Sequence, residues 1–341
     1  MTAAAQTSGV LPRSDKAHAR SGVRRVLLTR EMGIIALLVI VVIVSIATVP
    51  NFENKLTLTY LLRDSAPILF IALPMTLVIV TEEIDLSVAS VVGLSSVMVG
   101  VLTSHGWGFG PAAIVALLIG ILCGAVNGFL VTVVGLPSLA VTIGTLALYR
   151  GIAVGLLGTT AITTFPKTWT NLAKANIEGT PIPWVMIPFA VFAVVFIVLL
   201  HFTPFGRGLF AIGLSKSAAA FSGVNVGRSK FIAFVLSGFV SAFAGIYFTL
   251  LYSNARGDNA TGMELQVIAA VLLGGVSIFG GRGALHGVIA GVLLIGVLGS
   301  ALRLAGITAD TITIVTGLLL IVSVVAAAVV PRWRKVRRAR T

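Results

Sequence analysis

The amino-acid sequence predicts an all-α, polytopic membrane protein of about ten transmembrane helices. Three observations carry that prediction. Of 341 residues, 57% are hydrophobic and only 10% are charged, where a water-soluble domain carries about 25%; mean hydropathy is +1.07. Charge-free stretches recur near the ~20 residues that cross a bilayer. The formal net charge of +13 comes from basic residues gathered at the two chain ends, which topology explains without any nucleic acid.

Taken in order, the charge-free stretches are 32–52, 65–81, 86–149, 179–206, 231–255, 265–281, 283–302 and 311–331. The third is long enough for three helices, and turn-forming residues divide it at 104–111 and 135–138. The spans read from this are 32–50, 64–81, 86–103, 112–133, 139–157, 184–202, 229–252, 263–280, 284–303 and 310–330. None alternates as a transmembrane strand would, and lipid accepts only helices or closed barrels. The first span is too long for a signal peptide, and no small-residue cleavage pattern follows Pro50. One transmembrane domain, 32–330, thus lies between a basic tail at 1–31 and another at 331–341.

Basic residues mark the cytoplasmic side. Arg13, Lys16, Arg20, Arg24, Arg25 and Arg30 precede the first span, and Arg332, Arg334, Lys335, Arg337, Arg338 and Arg340 follow the last. Both termini are therefore expected in the cytoplasm, with Arg207, Lys216, Arg228, Lys230 and Arg282 in inner loops. An even number of spans follows. Trp107, Trp169 and Trp184 at outer boundaries and Trp333 at the inner one suit an interfacial belt. Gly120, Gly124 and Gly128 recur every fourth residue, as do Gly283, Gly287 and Gly291. With Gly274 and Gly275 they are read as places where helix backbones approach closely.

Several chemistries lack their residues. No Gly-Lys dipeptide occurs, so the usual phosphate-binding loop is missing. His18, His105, His201 and His286 are far apart and show no metal-ligand spacing. Cys123 is the single cysteine, which excludes an internal disulfide. Gly213–Ser217 is not a nucleophile elbow. The chain is read as no enzyme, with no cofactor or metal of its own.

Polar residues in so apolar a chain are functional candidates. Glu82, Glu83 and Asp85 fall in the short inner turn between the second and third spans. Either they are solvated, or Asp85 with Ser87 caps the third span. Arg150, within the fifth span, snorkels to the interface, faces a watery cavity, or pairs with Asp258, Glu264 or Asp310. Asn127, Thr142, Thr145 and Gln266 face either another helix or a solute path. In the inner loop 203–228, Ser215–Phe221 reads as a short Ala-rich helix with Ser215 as N-cap and Gly223 able to end it. Such a helix either docks into a partner's groove or simply connects two spans.

These segments together resemble the permease subunits of ribose-type ABC sugar importers, over about residues 60–330. Glu83-Ile84-Asp85-Leu86-Ser87-Val88-Ala89-Ser90 is similar to the family's G-I-D-L-S-V-G-S. Asn127-Gly128, Pro137, Thr142-Ile143-Gly144-Thr145 and Arg150-Gly151 resemble its next series. Gly206-Arg207 through Ser222-Gly223-Val224-Asn225 resembles its coupling loop. Glu264 through Gly274-Gly275 to Gly280-Gly281-Arg282-Gly283 resembles its E-L-x-x-I-A-A-V-V-L-G-G…G-G-x-G stretch. The wording at Ala72–Val80 and Tyr252–Asp258 leans toward the autoinducer-2 and rhamnose subgroup. There are departures. Glu82-Glu83 replaces Gly-Gly, Ala89 replaces Gly, and Lys216 stands where the loop often has an acid, which suggests a more acidic ATPase surface opposite it.

The resemblance implies a bacterial plasma membrane protein of type II importer-like fold, with spans two to five and seven to ten as inverted repeats. It implies two permease chains, identical or paralogous, around a pore for a monosaccharide or sugar-like molecule. Separate ATPase subunits would hold ATP and Mg, and an extracytoplasmic sugar-binding protein would deliver the solute. Ser215, Lys216, Ser217, Ala218, Ala219, Ser222, Gly223 and Asn225 would carry ATPase coupling. Asp85, Asn127, Thr142, Thr145, Arg150, Glu264 and Gln266 would be the candidates for path or gate. An ion-coupled secondary transporter would instead need an intramembrane carboxylate, for which Asp64, Glu264 and Asp310 are available. A permease for branched-chain amino acids or nucleosides is the third reading.

Overall fold

The structure, a computed structural model, describes residues 30–319 together with 321, 322 and 325. The basic tails and Trp333 lie outside the described residues, apart from Arg30 and Glu31, which open the first helix. The elements are α1 (Arg30–Thr48), α2 (Lys55–Val80), α3 (Val88–Ser104), α4 (Phe109–Thr132), α5 (Ser138–Leu157), α6 (Lys167–Lys174) and α7 (Met186–Phe202). There follow α8 (Pro204–Leu214), α9 (Lys216–Phe221), α10 (Val226–Tyr252), α11 (Met263–Leu273), α12 (Leu285–Leu304) and α13 (Ala309–Leu319). Five of them, α2, α4, α5, α10 and α12, are long and apolar enough to cross a bilayer alone. The bent pair α7–α8 passes the same test together, and α1, α3, α11 and α13 are shorter apolar helices. Among the described residues, ten apolar segments therefore stand in the order of the ten expected spans.

Helix α2 is the axis of the bundle. Every residue from Ser65 to Val80 except Ile68 is buried. Phe70 meets Phe189 and Phe192 of α7 and Phe243 of α10 edge-on, with ring centroids 5.0–5.7 Å apart. Helices α4 and α10 touch backbone to backbone. A Cβ on Gly120 would lie 2.6 Å from the Gly238 carbonyl oxygen, and one on Gly124 would lie 2.3 Å from that of Phe234. Without a solvent-driven force between helices in lipid, such van der Waals contact supplies much of the packing energy. Helices α11 and α12 meet in the same way, where a Cβ on Gly291 would lie 2.4 Å from the Ala270 oxygen and one on Gly274 would lie 2.6 Å from that of Gly287.

Four boundaries differ from the sequence reading, each for a physical reason. Helix α2 begins at Lys55, nine residues before 64, because Asn54 caps it by accepting the Leu56 N–H (3.0 Å). The helix then runs through Arg63 and Asp64, which a search for charge-free windows cuts away. Helix α10 begins at Val226, three residues before 229, capped by the Asn225 side chain on the Arg228 N–H (2.9 Å), and so takes in Arg228. The span 263–280 is a half-helix. It stops at Leu273, and Gly275, Gly280, Gly281 and Gly283 all take positive φ in the irregular strand of chain that follows. Gly275 and Gly283 thus belong to turns rather than to helix stripes. Lastly, 203–228 carries a second helix, α8, bent 64° from α7. Thr203 caps it by accepting the Gly206 N–H (3.2 Å), and Pro204 is pre-organised for its first turn.

Candidate functional site

The described polar residues gather at two places. The first is the end of the bundle that carries α8 and α9. The chain there leaves α2 through Glu82, at φ +67, and re-enters α3 at Val88. Asp85 in this turn is neither solvated nor a cap of the first helical turn. It is 1% exposed, and its Oδ1 accepts the Ser87 N–H (3.0 Å) and the Ser87 hydroxyl (2.7 Å). Its Oδ2 accepts the Ser237 hydroxyl of α10 (2.8 Å). Ser87 Oγ in turn accepts the Asn127 amide of α4 (2.8 Å). Three helices are therefore tied to one buried carboxyl group, directly through Ser87 and Ser237 and through Ser87 to Asn127. Thr142 of α5 joins by donating to the Ile84 carbonyl (3.2 Å) and the Ser138 carbonyl (2.8 Å). Thr145 donates to Thr142 at 3.4 Å, the weak end of the range.

Beside Asp85 lies a charge cluster. Glu83 Oε1 pairs with Lys230 Nζ in the first turn of α10, both side chains being nearly buried. The same oxygen is 3.5 Å from Lys216 Nζ at the start of α9, and Glu82 Oε2 is 4.0 Å from it. Burial alone would raise the Glu83 carboxyl. The hydrogen bond and charge of Lys230, with Ser138 and Lys216, outweigh it and hold the group below its ordinary value. For Lys216, partial burial opposes the charge, but Glu83 and Glu82 hold its ammonium above its ordinary value.

Helix α9 has Ser215 as N-cap, accepting the Ala218 N–H (3.3 Å). Ser222 ends the helix, with its N–H reaching back to the Ala218 and Ala219 carbonyls. Gly223, at φ +83, then turns the chain, as the left-handed region favours. Ala219 is the one residue of α9 buried against the bundle, while Ser217, Ala218 and Asn225 are exposed and Phe221 is 92% exposed. Just before it, Gly213 is wedged against α2. A Cβ there would fall within 2 Å of the Val80 carbonyl oxygen, which also accepts the Gly281 N–H (2.8 Å).

Arg150 chooses none of the acids open to it. Its Nη1 donates to the Gly257 (2.7 Å) and Asn259 (2.6 Å) carbonyls, and Nη2 reaches Ala89 (3.3 Å). Asp258 pairs with Arg256 instead (2.8 Å). Gly93 leaves room for the guanidinium, since a Cβ there would stand 2.6 Å from Nη1. Glu264 sits in the first turn of α11, where an acid suits the helix dipole.

The second place is a cavity of about 380 Å³ at the opposite end, between α2, α11, α12 and α13. Gln266 lines it together with Asp64, Ser65, Ser300 and Arg303. Asp64 accepts the Tyr252 hydroxyl (3.0 Å) and faces Arg303 Nη1 (3.3 Å), so its charge is compensated. Gly296 and Gly299 open the α12 side of the cavity. Of the seven path or gate candidates, Gln266 alone lines this cavity, whereas Asp85, Asn127, Thr142, Thr145 and Arg150 bond within the protein. Sequence reasoning missed Ser237, Gly213 and Ser65. It counted Lys230 among the inner-loop basic residues, although the span 229–252 already contained it.

A family model described as the branched-chain amino acid transport system permease component matches residues 57–324. The chain is 35% identical to the autoinducer 2 import system permease proteins LsrD of Escherichia coli K12 and of Shigella flexneri. Each match covers 305 residues, 88% of this chain and 92% of the relative. No solved structure matches significantly.

Proposed function

The chain belongs to the permease family of branched-chain amino acid transport systems, and on that premise we propose that it is the membrane subunit of an ATP-driven importer for a small, neutral, hydroxyl-rich solute of the sugar or autoinducer-2 kind. The relatives named for autoinducer 2 import support this solute class. The observation that carries it on the structural side is the cavity at Gln266. Its one acid is paired, and Ser65, Ser300 and Gln266 add hydroxyl and amide groups without net charge. A neutral polyol needs donors and acceptors of that sort, and an ionic substrate would need an unpaired counter-charge.

In this reading two permease chains, identical or paralogous, enclose the path. The exposed face of α5, with Gly144, Gly151 and Gly155 in open space, supports contact with a second chain. Partner ATPases hold ATP and Mg, and a binding protein delivers solute from outside. Both termini are cytoplasmic, so α9 faces the ATPases. ATPase closure moves α9, and rigid-body helix movement opens the path inward.

The test is purification from native membranes in mild detergent, followed by reconstitution. Co-purification of a P-loop ATPase and ATP-dependent uptake of a labelled pentose or autoinducer 2 are expected. A chain that purifies alone and moves solute down an ion gradient would refute the proposal.

A further inference from the structure

The acidic pair Glu82-Glu83 and the basic Lys216, far apart in sequence, meet in space. The three side chains form one cluster, with Lys216 Nζ 3.5 Å from Glu83 and 4.0 Å from Glu82. We infer that Lys216 is a positioning residue, tying α9 to the α2–α3 turn through Glu82 and Glu83, so that a displacement of α9 is passed to the turn and to the Asp85 network it carries. The inference rests on the proposed importer function.

The geometry distinguishes a releasable tie from a fixed one. Helix α9 has six residues, and its only buried side chain is Ala219. Apolar contact therefore holds it weakly, and Lys216 supplies a lateral link. That link is long and half-exposed, and pairs of this kind are worth little and break readily. Glu83 does not depend on it, because Lys230 remains against the same oxygen from a buried position. Lys216 can swing away without leaving a buried carboxylate unpaired, which would otherwise be strongly destabilising. Gly213, near the end of α8 and three residues before α9, is wedged against Val80, so the ion pair is the side-chain link that α9 itself makes to the turn.

A consequence concerns the partner. The Lys216 charge is directed at this chain's own acids rather than at an acidic ATPase surface. What α9 leaves fully exposed is Phe221, at 92%.

The test is a charge swap in the complex purified through this chain and reconstituted with its binding protein. Lys216→Glu is expected to lower solute taken up per ATP hydrolysed by about fivefold, the upper range for an exposed pair, while the ATPase still co-purifies. Lys216→Glu combined with Glu82→Lys, which leaves the buried Glu83–Lys230 pair intact, is expected to restore coupling to within about twofold. In a Cys123→Ala chain, Lys216→Cys and Glu82→Cys should cross-link readily with a short bifunctional thiol reagent, and the cross-link should block uptake more than it blocks ATP hydrolysis. Normal coupling in Lys216→Glu would overturn the inference. So would loss of ATPase co-purification that the swap fails to rescue, which would make Lys216 a partner contact. If the wild-type complex showed no ATP-driven uptake at all, the proposed function would fall, and the transport role of the tie with it. Efficient cross-linking without any effect on coupling would overturn the inference alone.

Discussion

Replacing Lys230 with Met removes the buried partner of Glu83 and keeps the shape of the side chain. Glu83 and Lys230 are 10% and 7% exposed. Truncating one member of a buried ion pair costs about 3–5 kcal/mol, because the other charge is left in low dielectric. Lys216 stays 3.5 Å away, so the lower end applies, about 3 kcal/mol. Adding Glu83→Gln should recover most of that loss, since both charges then disappear together. The assay is unfolding of the purified chain in mixed detergent micelles, for the wild type, both single variants and the double variant. The pH dependence has a definite sign. In the wild type the Glu83 carboxyl is held below its ordinary 4.5, so its contribution is complete above that range and is lost as pH falls through the lowered value. Without Lys230 the carboxyl takes up a proton at higher pH and sheds its unpaired charge. The stability gap between Lys230→Met and wild type should therefore narrow between about pH 7 and pH 4.5. A loss below about 1 kcal/mol, or a gap that widens on acidification, would refute the buried-pair reasoning.

Three further outcomes are expected. Gly124→Leu should abolish the folded chain, because its Cβ would sit 2.3 Å from the Phe234 oxygen; Gly144→Leu, in open space, should leave the single chain folded and weaken only pairing of permease chains on size-exclusion chromatography. Arg150→Leu should destabilise by about 2–4 kcal/mol in the same unfolding assay, since the Gly257, Asn259 and Ala89 carbonyls lose their donor, and Arg150→Lys should recover only part. Phe221→Ser should reduce ATPase co-purification by about tenfold, the loss for a well-seated aromatic anchor, with no change in chain stability, since that ring is exposed here.

The residues differ in how far their places were legible. The helical class and the number of apolar segments followed from composition and window counting, and the cap at Ser215 and the turn at Gly223 followed from local chemistry. The half-helix α11 did not, because Val276, Ile278 and Phe279 are as apolar as a helix requires. Only a count of peptide groups shows why it ends. Gly281 N–H bonds to Val80 of another segment and Ser277 N–H to Arg282, so the backbone is satisfied without helix. The start of α2 was missed for the opposite reason, since Arg63 and Asp64 broke a charge count but not a helix.

Hydrophobicity acts residue by residue on transfer into lipid, and a linear sequence records it directly. That is why the sequence by itself determined a multi-pass helical chain and the family resemblance around Asp85, Arg150 and Glu264. The pairing of polar groups depends instead on which helices become neighbours. Glu83 and Lys230 are separated by 147 residues and Arg150 and Gly257 by 107, and many partners of equal charge or hydrogen-bonding capacity compete along that distance. Only the packed bundle decided that Glu83 is shared by Lys230 and Lys216, that Arg150 answers three carbonyls rather than an acid, and that Gln266 opens onto a cavity. Low dielectric makes each of those choices costly to reverse.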